Sequence, residues 1–216
     1  QASAEYTIYT DRASEDQLAP ARALLGKHAE FRLIFFEDLP YGGGRLSDAM
    51  ANSDPAVVKH NVQRMTANHL LERVAKEPDS AVILLDSDFI FSNGSLIAMH
   101  ERREAGTRAF AAMFMRLSHE GAAPVLAKEF DAAGPAGLDG PGLVRIGLDH
   151  PHPITRGFYF DAEEFSAYPT QINWPVADGG YVTHCFFPHP LMVTPGAAPY
   201  FSTMDYEVLL RSADDA

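Results

Sequence analysis

Apolar residues along this chain fall into short continuous blocks that suit strands and spaced positions that suit helices. Residues 6–10 alternate aromatic and β-branched side chains, and Ser14 with Asp16 opens a helical segment to about Lys27, which predicts a first β-α step. Residues 31–36 form a second apolar block, closed by Glu37 and Asp38 and a Pro-Tyr-Gly-Gly-Gly turn. Asp54 and Pro55 then mark a helix start, with the pattern running to about Lys76. Val58, Val62 and Met65 share one stripe of that helix, while Ala67, Leu70, Leu71 and Val74 lie nearly opposite, so it is expected to be covered on more than one face.

The next block organises the rest. Ala-Val-Ile-Leu-Leu at 81–85 runs straight into Asp86, Ser87 and Asp88. A continuous apolar run suits a strand covered on both faces, the usual pattern of a parallel sheet flanked by helices, where ligands sit beyond the carboxyl ends of the strands. A turn is expected over 89–94, a helix over 95–105 and a third apolar strand over 108–115. The order β-α-β-α-β-α-β favours a parallel sheet with right-handed crossovers. Residues 132–142 hold too much Gly and Pro for an element and are expected to form a mobile loop or lid. Short apolar stretches at 156–160 and 181–194 suit a small mixed or antiparallel addition, and Ser202-Thr203-Met204-Asp205 opens a last helix as a capping box. The expected fold is a single α/β domain over 1–216, with a mostly parallel sheet and a smaller C-terminal elaboration.

Composition narrows the partners. At 216 residues and 46% hydrophobic, the chain can bury a full core, and its net charge of −12 disfavours nucleic acid and anionic membranes. Cys185 is the one cysteine, which excludes an internal disulfide framework. No run reaches transmembrane length and no basic-then-apolar signal stands at the N-terminus, so a cytoplasmic location is expected.

Several residues have chemistry to offer. Asp86 and Asp88 repel each other at the mouth of an apolar strand unless a cation sits between them; the alternative is one helix cap and one solvated acid. Either His184 or His189 is placed to complete such a site, with His189 favoured because Pro188 and Pro190 fix its backbone. Arg64, with Lys59 and His60, stands where a helix could reach phosphates, although such residues are commonly just solvated. Asp205 reads either as a helix cap or as a general base. Trp174, the single tryptophan, lies among turn residues and either closes the core or stacks on an acceptor sugar.

The Asp86-Ser87-Asp88 ending after two β-α units resembles the DxD motif of metal-dependent GT-A-fold glycosyltransferases. His189-Pro190-Leu191-Met192-Val193 followed by Ser202-Thr203-Met204-Asp205-Tyr206 is similar to the acceptor-side strand and closing helix of some bacterial members. The resemblance implies a Rossmann-like nucleotide-sugar half (1–118) and an acceptor half (119–216). It also implies a UDP-sugar donor and transfer to a hydroxyl of a glycan or small glycoside. Asp88 would ligate Mn²⁺ or Mg²⁺ on the diphosphate, Asp86 would contact ribose or donor sugar, and Ser87 would lie between them. Tyr9, Thr10, Glu37 and Asp38 would lie near the base, and Asp205 would act as base with inversion. Other families share parts of the pattern. Haloacid dehalogenase-type phosphatases carry Asp-x-Asp after a strand, but at the start of the domain and followed by Thr or Val at a set offset, where this chain has Ile90. Gly42-Gly43-Gly44-Arg45-Leu46 superficially resembles the loop of sugar nucleotidyltransferases, yet follows the second strand rather than the first. A non-catalytic nucleotide-sugar binding protein is the remaining alternative.

Overall fold

A computed structural model describes residues 4–41, 44–77, 79–86, 88–133, 138–177 and 180–196. They divide into two compact units after Lys76. Both units mix helices and strands, and among the described residues no helix is long and apolar enough to cross a membrane.

The first unit starts as expected. Strand β1 (Glu5–Thr10) pairs in parallel with β2 (Glu30–Phe35), Glu5 opposite Glu30 and Thr10 opposite Phe35. Between them the chain is helical, a 3₁₀ stretch (Arg12–Leu18) leading into α1 (Ala19–Leu25). The cap is Asp11 rather than Ser14: the Ser14 amide donates to the Asp11 carboxylate at 2.8 Å. Short strands β3 (Pro40–Tyr41) and β4 (Gly44–Arg45) form an antiparallel pair, and α2 (Leu46–Asn52) follows. Helix α3 (Pro55–Val74) buries Val58, Ala67, Leu71 and Val74, and half-buries Val62, Met65 and Leu70 on other sides. Its apolar residues are therefore covered on more than one face, as their spacing implies.

The second unit departs from the expected parallel sheet. Its main sheet is antiparallel, in the order β5-β9-β6: β9 (His189–Val193) lies between β5 (Val82–Ile83) and β6 (Ala109–Ala112) and runs against both. Strands β5 and β6 share a direction, but they are not neighbours. The reason is visible in β9, where Pro190, Met192 and Val193 are buried, so this strand belongs in the sheet centre. A prolyl residue cannot donate to a ladder, and β6 accommodates Pro190 with a register shift between Phe110 and Ala111. Val82, Leu84, Met192 and Val193, with Met99 of α4 (Ser95–Glu104), are all buried.

Two helices stand where the sequence pattern signals none. Helix α5 (His119–Ala133) carries Pro124 inside it, and α6 (Gly140–Asp149) starts from Asp139, whose carboxylate accepts from the Gly142 amide at 2.7 Å. Ala122, Leu126 and Leu138 form a small core against which Leu117, Phe130, Leu143 and Ile146 pack. Of the expected lid over 132–142, residues 132–133 and 140–142 are helical, and Leu138 is buried with its carbonyl accepting from the Asn93 amide at 2.7 Å; residues 134–137 fall outside the described set. A short α7 (Pro153–Arg156) is capped by His152, whose Nδ1 accepts from the Ile154 amide. The C-terminal addition is antiparallel as expected: β7 (Gln171–Val176) and β8 (Gly180–Cys185) form a hairpin, with Trp174 in the strand rather than in a turn.

Candidate functional site

Two sets of expected site residues lie in separate units. In the first, Thr10 ends β1 buried, and Glu37 and Asp38 sit in a 3₁₀ turn (Phe36–Asp38) just past β2. Arg12 engages both acids. The Arg12 amide donates to Glu37 Oε1 at 3.0 Å, its guanidinium donates to Asp38 Oδ2 at 2.5 Å, and the same group lies 4.3 Å over the Phe35 ring. Arg12 was not singled out by sequence, although it stands two residues past the end of β1, where parallel strands present ligand-binding groups. The ion pair is solvent-exposed, so it stabilises by at most about 1 kcal/mol and is easily exchanged. Glu37 Oε2 is buried without a partner among the described residues.

Tyr9 is engaged inside its unit. Its hydroxyl meets Nδ1 of His69 on α3 at 2.7 Å, and burial pushes its pKa up to about 12. Arg64 is exposed and donates to Asn61 of its own helix at 3.0 Å.

In the second unit, strand register brings Asp86 towards His189. Ile83 pairs with Met192, and the Leu84 amide donates to the Leu191 carbonyl at 2.8 Å. Continuing that antiparallel register sets Asp86 opposite His189, which on its other side pairs with Ala112 of β6. Beyond Asp86 the chain turns, with the Phe89 amide donating to the Asp86 carbonyl at 3.2 Å. This turn delivers Phe89 to the imidazole. Phe89 and Phe114 pack against His189 with ring centroids at 5.5 and 4.7 Å, and against each other at 4.4 Å.

The aromatic box sets the chemistry of His189. Burial lowers its pKa below the ordinary 6.5, and the nearby Asp86 carboxylate pulls the other way without prevailing. Burial therefore favours the neutral form of the ring. Its Nε2 is buried and has no hydrogen-bond partner among the described residues. Such an atom costs about 1–3 kcal/mol if left unmet, so either the fold tolerates the loss or a ligand meets it.

Asp86 and Asp88 are both exposed at this strand end, and Ser87 lies outside the described residues. His184 is elsewhere in the unit: it lies exposed on β8, opposite Ile172, with its ring 4.9 Å from Phe186. Among the described residues no three His, Cys, Asp or Glu side chains gather closely enough to hold an ion. Of the expected ligands, Asp86 is the one close enough to act on His189 electrostatically. Trp174 stands 36% exposed on β7, with the Phe160 ring stacked on it at 6.4 Å. Asp205 falls outside the described residues.

Phe89, Phe114 and Phe160, like Arg12, were not flagged by sequence. The signal for the first two is an aromatic residue next to the acidic strand end and another at the end of the following apolar block, but nothing local says that they close on one histidine. No protein-family model, curated protein or solved structure matches this chain.

Proposed function

We propose that this chain transfers a sugar from a nucleotide diphosphate donor, a UDP-sugar, to a hydroxyl of a glycan or small glycoside, with a divalent cation at Asp86 and Asp88. The observation that carries the reading is the buried Nε2 of His189, unmet among the described residues, with Asp86 close enough to act on the ring electrostatically. A purely structural histidine in a box of two phenylalanines would be expected to find a partner for that atom.

Asp86, Asp88 and His189 do not gather closely enough to hold an ion by themselves, so in this reading the cation would take much of its shell from the substrate. Two exposed carboxylates are hard oxygen ligands of the kind Mg²⁺ and Mn²⁺ prefer, His189 adds an imidazole, and these ions commonly leave other positions to phosphate oxygens and water. When bound, the ion would neutralise charge developing on the diphosphate leaving group. The side chains do the rest of the work. Asp88 holds the ion, Asp86 accepts hydrogen bonds from ribose or sugar hydroxyls, and Phe89 and Phe114 fix the His189 ring and keep water from it. Asp205 is proposed as the base that takes the acceptor proton, with inversion at the anomeric carbon.

The test is a titration of the protein with UDP, GDP, ADP and CDP, each with Mn²⁺ present. Saturable binding of UDP over the others is the expected result. Absence of binding by every nucleoside diphosphate would refute the reading.

A further inference from the structure

We infer that the outward face of the β7–β8 hairpin is a carbohydrate-binding platform for a neutral glycan. Among residues whose exposure is described, every exposed aromatic side chain lies between 160 and 187: Phe160, Phe165, Tyr168, Trp174, Phe186 and Phe187. Of these, Phe160 and Trp174 are brought together in space, and a contiguous exposed apolar patch marks an interaction site.

The hairpin register shows how the face is built. Ile172 opposes His184, Trp174 opposes Val182, and Val176 opposes Gly180, so these residues share one side of the two-stranded sheet. Phe160 joins that side because residues 158–160 run alongside β7. The Asn173 amide donates to the Phe158 carbonyl at 2.8 Å, and the Phe160 amide donates to the Asn173 carbonyl at 3.0 Å. The result is a pair of ring planes only 24° apart, with Phe160 56% exposed. Beneath them the opposite face is polar and tied down. Asn173 is buried, and its side-chain oxygen accepts from Gln171 at 3.2 Å and from the Thr183 hydroxyl at 2.7 Å. A surface fixed in this way loses little freedom on binding.

The chemistry of the face selects its occupant. Aromatic ring faces are electron-rich and attract the weakly positive C–H side of a pyranose. His184 on the same side offers a hydrogen bond to a hydroxyl. The face itself carries no fixed charge, while Asp161, Glu163 and Glu164 occupy the loop that follows Phe160, closed where the Ser166 amide donates to the Gly157 carbonyl at 2.9 Å. Carboxylates accept hydrogen bonds from sugar hydroxyls and repel phosphate. In a chain of net charge −12 they weigh against an anionic lipid surface. The sequence pattern suggested one stacking residue; the structure adds the Phe160 ring, 6.4 Å away and nearly parallel to it. This surface does not rest on the transferase reading, because neither donor nor metal takes part in it.

Trp174 is the only tryptophan, so intrinsic fluorescence reports this face directly. The protein, without nucleotide or metal, is titrated with hexamers of α-linked glucose, β-linked glucose, galactose and N-acetylglucosamine. Parallel titrations use phosphatidylcholine and phosphatidylglycerol vesicles, and sedimentation is run across a range of protein concentration. Saturable change with at least one hexamer is expected. Phe160→Ala should weaken that binding by about three- to tenfold, the scale of one aromatic contact. Trp174→Ala, followed by calorimetry and checked for folding by circular dichroism, should abolish it. The inference is overturned if no hexamer binds or if affinity is the same in both variants. It is equally overturned if the Trp174 signal responds only to vesicles or only to protein concentration.

Discussion

Replacing His189 by Phe separates a packing role from a ligand role. In the wild-type protein the imidazole packs against the Phe89–Phe114 pair, with Nε2 buried and unmet among the described residues. Removing that atom relieves a penalty of about 1–3 kcal/mol. A third phenyl ring keeps the aromatic contacts, and its larger volume offsets part of the gain, leaving about 1 kcal/mol of net stabilisation. For a chain of this size that raises Tm by about 2–4 °C. Trp174 fluorescence follows the transition, since it lies in the same unit as His189. A pH series adds a sign. Because His189 has a folded pKa below 6.5, the unfolded chain takes up its proton first on acidification, and the wild type loses stability as pH falls from about 6.5 towards the folded value. The Phe variant lacks this loss, so its advantage should widen between about pH 8 and about pH 5. If the histidine is kept as a metal ligand, the same variant should bind UDP with Mn²⁺ at least about tenfold more weakly, a trade of stability against function. A variant that is less stable at every pH, with no widening gap and unchanged Mn²⁺-dependent UDP affinity, would refute the reasoning.

Other consequences are more local. Burial would raise the pKa of Glu5, but hydrogen bonds from Arg73, Thr7 and Arg32 outweigh it and hold the carboxyl at about 2 against an ordinary 4.5. A depressed carboxylate stabilises the fold above about pH 4.5 and loses that stability as pH falls towards about 2. With allowance for solvent screening, Glu5→Gln should cost about 1–2 kcal/mol at neutral pH and flatten the acid limb of a circular-dichroism unfolding series; an unchanged limb counts against it. Gly147 is buried in α6 against Met115 and Leu117, and a β-carbon there would run into the Met115 sulfur. Gly147→Ala should therefore cost about 1–3 kcal/mol in urea unfolding, whereas an open helix position would gain from the same change. Asp205→Asn should keep UDP affinity and lower transfer by about a hundredfold if Asp205 is the base; a near-wild-type rate would leave it as a cap.

What the sequence revealed was mostly local. The strands at 5–10 and 30–35, the long helix from Pro55 and the helix from Ser95 follow from alternation, caps and helical spacing, signals contained within each segment. Helices α5 and α6 were hidden because Gly121, Pro124, Gly140, Pro141 and Gly142 weigh against helix over a short window. Burial of Ala122, Leu126 and Leu138 overrides that preference. The sheet order could not be read because β9 enters between two strands from a distant part of the chain, and no local pattern fixes where a late strand inserts. At the candidate site, Asp86 and Asp88 were legible as acids ending an apolar run, and His189 as a histidine between prolines. Their pairing depends on the register of β5 against β9, and the properties of His189 depend on Phe89 and Phe114. Those are tertiary facts.

The central claim is that Asp86 and Asp88 hold a cation on a nucleotide diphosphate. It is tested most directly by calorimetric titration of UDP into the wild-type protein with Mn²⁺, into the same protein with EDTA, and into Asp88→Asn with Mn²⁺. The account predicts measurable affinity in the first case and a loss of at least about tenfold in the other two, the scale expected when a metal site is disturbed. Equal affinity in all three would contradict it.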